Sequence, residues 1–305
     1  MPSPLPRADL DRARRFIAAH GRPLDAALIR HALDEGPAAD VLTALAPYQN
    51  DDGGFGHGLE PDLRTPASTA IATSVGLQIL RRIQAPGDHP MVAAAIAYLL
   101  ATLDRDQGVW PIIGPRIDEA PHAPWWHHGP DLAAQWNGFR FNPTAELLGA
   151  LIDHAPLVPA AVLESVEARM IATIETTASL DGPYDLMAAW RLAGTPGLPA
   201  ALAQPLDRLL EASLATAASD DPHLNYLELA APAAGPLTDL WTPRFARAAG
   251  IAIATQGADG SWSPFWNWSE VSAEGWARAE ADWKSLLTRR TIEALAAGDL
   301  IERGG

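Results

Sequence analysis

The sequence predicts an all-α fold, and three observations carry that prediction. Apolar residues recur at helical spacing along most of the chain, prolines and glycines interrupt the spacing at intervals, and no alternating run of β-branched residues competes with it. Helices are expected over about 8–19 and 24–35, then at "AADVLTALAPY" (38–48), "PASTAIATSVGLQILRRI" (66–83) and "PMVAAAIAYLLATL" (90–103). They continue at "NPTAELLGALIDHA" (142–155), "PAAVLESVEARMIATIETTA" (159–178), "YDLMAAWRLA" (184–193) and "PAALAQPLDRLLEASLATAA" (199–218). These stretches are rich in Ala and Leu and poor in strand formers. Pro66 and Pro143 are expected at first helical positions, where the missing N–H costs nothing, with Thr65 and Asn142 before them as caps. Counting all segments gives about twelve helices.

The connections alternate in character. Long or glycine-rich ones (49–65, 104–141, 179–183, 219–223, 256–275) precede even-numbered helices, and short ones (84–89, 155–158, 195–198) precede odd-numbered helices. If successive helices run antiparallel, every elaborate loop lies at one end of the molecule. The even-numbered helices through the middle of the chain carry few charges and read as internal, whereas the seventh, ninth and twelfth are studded with charges and read as peripheral. The expectation is a single domain over 1–305, an α/α toroid with inner and outer rings and a long Trp- and His-rich loop inserted at 104–141.

Composition limits the function classes. A formal charge of −15 and an isoelectric point near 4.9 argue against nucleic acid or an anionic membrane surface, either of which requires clustered Lys and Arg. The chain has no cysteine, which removes disulfides, thiolate metal sites and cysteine nucleophiles together. The opening "MPSPLPRADLDRARRFIAAH" lacks the apolar run of a signal peptide, and no stretch reaches the roughly 20 apolar residues that span a bilayer. A cytoplasmic location, no cofactor and a small apolar or planar substrate are expected.

The glycine-rich loops repeat. "QNDDGGF" (49–55) and "QGADGSW" (256–262) agree at Gln, Asp, Gly and a closing aromatic with the same spacing, "DRDQGVW" (104–110) keeps the Gly and Trp, and "DGPY" (181–184) keeps Asp-Gly and an aromatic. Asp-Gly favours a tight turn because Asp bonds its own backbone and Gly accepts positive φ. Gln49, Asp52, Gly53, Phe55, Gln256, Asp259, Gly260 and Trp262 are therefore read as architecture. This pattern resembles the QW-type repeat of the terpenoid cyclase and protein prenyltransferase superfamily, which includes squalene–hopene cyclases. "DGGFGHGLEPDLRTPASTAIATSVGLQIL" is also similar to bacterial prenyltransferase/squalene-oxidase-repeat proteins. The resemblance implies an α/α toroid whose Gln and aromatic pack together and tie neighbouring helices.

Two regions carry candidate chemistry. In "GHGLEPDLR", Glu60 and Asp62 flank a proline on a stiffened segment just before an internal helix, with His57 three residues upstream and Arg64 two downstream. The cluster could be a general acid with its modulator, or a His–carboxylate metal site; alternatively Glu60 or Asp62 pairs with Arg64 and caps the helix. Glu146, in the first turn of another internal helix, is the next acid candidate. The second region is the loop 104–141, with Trp110, Trp125, Trp126, Trp136, His122, His127 and His128, joined by Trp266 and Trp268 of "WSPFWNWSE". Such indoles can stabilise a carbocation or stack on a sugar ring, or simply roof the ring of helices. The adjacent His127–His128 pair has poor ligand spacing, and no metal is assigned.

The chain departs from the family pattern where chemistry is diagnostic. The Asp-x-Asp-Asp acid motif of class II cyclases is missing, the nearest stretch being "DRDQ" at 104–107; "DDGGF" lacks the last carboxylate of the class I motif; and no cysteine can serve as a zinc ligand. Three readings remain: a cyclase- or isomerase-like enzyme using a buried carboxylic acid, a glycosidase or lyase on a toroid, and a non-catalytic binding toroid.

Overall fold

The computed structural model describes residues 1–180, 182–217, 221, 223–232 and 235–302, and it is all-α. Among these residues there are twelve α-helices and no strand, only isolated bridges. They are α1 (Arg7–His20), α2 (Pro23–Leu33), α3 (Ala38–Leu45), α4 (Ala70–Arg82), α5 (Pro90–Thr102), α6 (Leu132–Gln135), α7 (Thr144–Asp153), α8 (Ala160–Glu175), α9 (Pro183–Ala193), α10 (Ala200–Thr216), α11 (Pro236–Ala254) and α12 (Ala273–Ala297). The short α6 lies inside the long loop, which also holds 3-10 turns at Pro115–Glu119, Pro124–Trp126 and Asn137–Phe139. The even-numbered helix expected after 223 is only a 3-10 turn, Tyr226–Glu228, closed by the Asn225 side chain accepting the Leu227 N–H.

Two helix starts differ from expectation. The helix expected from Pro66 begins at Ala70, because the Thr69 N–H donates to the Phe55 carbonyl at 3.1 Å and holds Thr69 extended. Thr69 is then the cap, its hydroxyl accepting the Ala72 N–H at 3.1 Å, while Thr65 closes a smaller turn on the Ala67 N–H. In the same way α7 starts at Thr144; Pro143 takes the cap position, and the Asn142 N–H is drawn to the Asp185 carboxylate at 3.1 Å.

Consecutive helices pack as hairpins (α4 on α5, α7 on α8, α9 on α10), while α4 packs on α7 and α7 on α9. Among the helices expected outside, α8 packs on α10 and α10 on α11. The last helix, α12, returns to pack on α1 and α2, so the chain's two ends meet, and an inner and an outer ring are consistent with these contacts. At that junction Asp25 of α2 is fully buried and accepts from Arg22 Nε at 2.7 Å, Arg289 Nε at 2.7 Å and Ser285 Oγ at 2.8 Å, the last two on α12. The two guanidinium charges more than offset the burial penalty and hold its carboxyl far below the usual carboxylate range.

The repeated corners share their hydrogen bonds as well as their letters. Gln49 Nε2 donates to the Gly53 carbonyl and to Met91 at the start of α5, both at 2.9 Å; Gln256 Nε2 donates to the Gly260 carbonyl and to Asp9 in the first turn of α1, both at 3.0 Å. Asp52 and Asp259 each accept the N–H two residues on. The backbone N–H of three closing aromatics donates to a threonine of a following helix: Phe55 to Thr73 of α4, Trp110 to Thr144 of α7 and Trp262 to Thr288 of α12. Gly53 and Gly260 have φ of +87° and +89°, and a Cβ would fall 2.2 Å from the Ala94 oxygen or 2.6 Å from the Arg12 carbonyl carbon. These two corners are thus seated on α5 and α1, where only glycine fits. In the fourth corner Asp181 lies outside the described residues.

Candidate functional site

The segment 56–65 is a compact loop with every turn fixed. Leu59 N–H donates to the Gly56 carbonyl, Leu63 N–H to Glu60 and His57 N–H to Thr65, each at 3.0 Å. Outside partners pin it: Arg22 Nη1 reaches the Leu59 carbonyl at 3.3 Å, and Leu63 bridges His122, with Ala123 N–H on the Asp62 carbonyl and Arg64 N–H on Pro121, both at 3.0 Å. The long loop therefore lies directly on the acidic segment.

Glu60 and Asp62 are both buried, at 9% and 2% exposure. Asp62 accepts the indole N–H of Trp268 on Oδ1 at 2.7 Å and of Trp266 on Oδ2 at 3.1 Å. Burial raises its carboxyl above the ordinary value, while the nearby indoles of Trp268, Trp283 and Trp266 and the Arg64 charge pull the other way. Glu60 has no comparable set of donors. Burial first, and the Asp62 charge second, push its carboxyl up to about 8, against the pull of Arg290, the Asp62 N–H and the Trp126 indole. Burial thus favours the protonated form of Glu60, while Asp62 is held by indole donors.

An arc of aromatic rings begins and ends at this pair. Trp126 stacks on Trp136 with centroids 4.9 Å apart and planes 11° off parallel, and Trp136 meets Tyr184 at 5.7 Å. Tyr184 meets His223 at 5.9 Å, and steps of 4.9 Å then join His223 to Phe265, Phe265 to Trp266 and Trp266 to Trp283. The first ring lies by Glu60 and the last two by Asp62. The middle of the arc is open, with Tyr184 40% and Phe265 55% exposed, whereas Trp126 and Trp268 are buried. The buried indole N–H groups of Trp126 and Trp283 act on the Glu60 and Asp62 carboxyls from outside hydrogen-bond geometry, and that of Trp136 has no hydrogen-bond partner.

The other expected site residues are placed as follows. Trp125 is half-buried against the same apolar cluster as Trp126, Trp136, Trp266 and Trp268. Trp110 is fully buried elsewhere, its indole N–H on the Leu99 carbonyl at 2.8 Å; Trp262 makes the same bond to Ala252, so Trp110 belongs to the corner architecture. His57 is exposed and bonds Asn50 at 2.7 Å. Arg64 pairs with Asp282 of α12 at 2.6 Å, and its guanidinium lies against Gly58. Glu146 is buried and bound by Arg191, Ser74 and Gln78, which ties α4, α7 and α9 together and occupies its carboxylate. His122 and His127 both approach Asp118, at 3.4 and 3.2 Å. Tyr184, His223, Phe265, Trp283 and Asp118 belong to the site region although they were not among the expected site residues; Tyr184 was marked only as the closing aromatic of "DGPY", Phe265 lies in "WSPFWNWSE" and Asp118 in the loop 104–141.

A cavity of about 260 Å³ lies between α4, α9, α12 and the turn Tyr226–Glu228. Its polar wall pairs Arg191 and Arg290 with Glu228 and Arg82 with Glu293, and Arg290 is the charge that Glu60 senses. Among the described residues no helix is long and apolar enough to cross a membrane. Comparison with family models, with curated proteins and with solved structures finds no match.

Proposed function

We propose that the chain is an acid-catalysing isomerase or cyclase acting on an isoprenoid or similarly apolar alkene, built on a closed α/α toroid with its active centre at the loop-rich end. The observation that carries this reading is the buried Glu60, its carboxyl pushed up to about 8, beside an indole-bound Asp62 at the origin of a continuous aromatic arc. The parallel corners seated on α5 and α1, and the return of α12 to α1 and α2, support the ring.

The chemistry balances without a cofactor. Glu60 gives its proton to an alkene carbon; a C–H bond forms as the π bond breaks, leaving a carboxylate on Glu60 and a carbocation in the substrate. Ring faces of the arc and the Asp62 charge stabilise that cation as it rearranges or closes a ring. Loss of a neighbouring C–H proton regenerates an alkene and returns the proton to the carboxyl pair, so the product is an isomer of the substrate. Glu60 and Asp62 share one tight segment, and Glu146 and Glu228 are ion-paired, so neither of these two is a free partner for Glu60 of the kind that sugar hydrolysis uses. Arg64 pairs with Asp282 rather than with either member of the pair.

The test is product analysis after incubating the purified chain with isoprenoid alkenes and polyprenyl diphosphates in deuterated water. The expected result is an isomerised product carrying one deuterium, lost with Glu60→Gln. Cleavage of oligosaccharides in a parallel panel, or isomerisation that survives Glu60→Gln, would contradict the proposal.

A further inference from the structure

A second cluster of chemically competent groups lies on the long loop, outside the acid pair and its aromatic arc. Asp118 sits in the 3-10 turn Pro115–Glu119, His122 four residues on, and His127 just after the turn Pro124–Trp126. We propose that Asp118, His122 and His127 bind a divalent first-row transition-metal cation such as zinc.

The geometry is that of three ligands around one ion. Their donor atoms all lie within 4.8 Å of one another, with Asp118 Oδ1 3.4 Å from His122 Nε2 and 3.2 Å from His127 Nδ1. Donors bound about 2 Å from a common metal in tetrahedral or octahedral geometry stand about 3–3.5 Å apart. The hydrogen bonding of His122 is the decisive detail. Its Nδ1 lies 2.8 Å from the Ala120 carbonyl, which can only accept, so that nitrogen carries the ring proton. In the neutral ring Nε2 then presents a lone pair toward a carboxylate oxygen, an unfavourable meeting of two acceptors that a shared cation turns into two bonds. A ring N–H on a backbone carbonyl is also the contact that orients metal-bound imidazoles.

The loop holds these groups in place from behind. Asp118 Oδ1 accepts the His128 N–H at 3.1 Å, Ile117 and Ala123 are buried, and His122 is bridged to Leu63. The imidazoles of His122 and His127 lie 11° from parallel with centroids 6.2 Å apart. Two imidazoles and one carboxylate suit zinc, iron, cobalt or nickel better than magnesium or calcium, and three protein ligands leave room for water or another ligand. The bound ion would fasten the stretch that carries Trp126, a ring beside Glu60. The inference stands on these contacts and not on the proposed reaction.

The test is calorimetric titration of zinc chloride into the tag-free, chelator-stripped full chain at pH 7.5. One zinc per chain is expected, with affinity falling by about 10–100-fold or more in Asp118→Asn, the loss that removal of a ligand's hydrogen-bond partner alone can cause. The double variant His122→Gln/His127→Gln should lose saturable binding, and zinc should raise the Tm of the wild type but not of that variant. X-ray absorption on the zinc-loaded wild type, which needs no variant to fold, should show two imidazoles. Absence of stoichiometric binding, a wild-type spectrum without imidazole, or unchanged affinity in the folded double variant would overturn the inference.

Discussion

Trp268 donates its indole N–H to Oδ1 of Asp62 at 2.7 Å, joining the segment before α12 to the segment before α4 across more than two hundred residues of sequence. Both groups are buried, so the bond is made where an unpaired carboxylate would be costly. Trp268→Phe keeps most of the ring volume and removes the donor; it should destabilise the chain at pH 7 by about 1.5–3 kcal/mol, as for other hydrogen bonds to charged groups. Trp266→Phe should cost less, because its bond is longer at 3.1 Å and its ring is half-buried. Urea denaturation of the two variants checks the order.

Glu60 should make the chain less stable as pH rises. Its unfolded value is near 4.5 and its folded value about 8, so below pH 4.5 both states are protonated and nothing is gained or lost. Between those values the unfolded chain ionises while the folded chain keeps its proton, which favours unfolding until the effect levels off above pH 8. That gap limits the effect to about 5 kcal/mol, and sharing of the proton with Asp62 makes it smaller. Glu60→Gln should therefore gain stability relative to wild type between pH 5 and pH 8, by denaturation at each pH; a constant difference would contradict the buried, protonated carboxyl.

The junction of α2 with α12 behaves oppositely. Asp25→Asn leaves Arg22 and Arg289 buried without their shared carboxylate and should cost about 3–5 kcal/mol at pH 7. Because the folded carboxyl lies far below its unfolded value, the advantage of wild type is complete above the unfolded value near 3.8 and is lost as pH falls below it. Denaturation at pH 7 and pH 3 should show the difference between wild type and variant narrowing at the lower pH.

Two glycine substitutions separate strain from collision. Gly138 has φ of +62° and open space around it, so Gly138→Ala should cost only the backbone term of about 1–2 kcal/mol. Gly53→Ala adds a Cβ 2.2 Å from the Ala94 oxygen and should cost several kcal/mol more, lowering Tm accordingly. Equal Tm losses would mean that the corner is not seated on α5 as described.

The corners were legible in the sequence because their chemistry is local: Gln49 bonds Gly53 four residues on, and Asp52 bonds the N–H two residues on. Glu60 and Asp62 were legible for a similar reason, since their position beside Pro61 and before a helix uncharged until Arg81 needs no distant partner to be noticed. What surrounds them was not. Trp283 looks like an ordinary helix residue and Tyr184 like a corner aromatic, and only the packing of α12 and α9 brings them to the arc. Trp110 was selected by its place in a Trp-rich loop, although it also closes the partial corner "DRDQGVW", and the structure seats it there in the core. The start of α4 moved from Pro66 to Ala70 because a bridge to Phe55, invisible to local propensity, holds Thr69 extended.

The account turns on a proton that Glu60 keeps at neutral pH. Carbon-13 NMR of glutamate δ-carboxyls, with the Glu60 signal identified by its absence from Glu60→Gln, measures this directly. A titration midpoint near 8 is predicted. A midpoint between about 4 and 5, the range of an ordinary glutamate, would contradict the account and leave the aromatic arc without an acid.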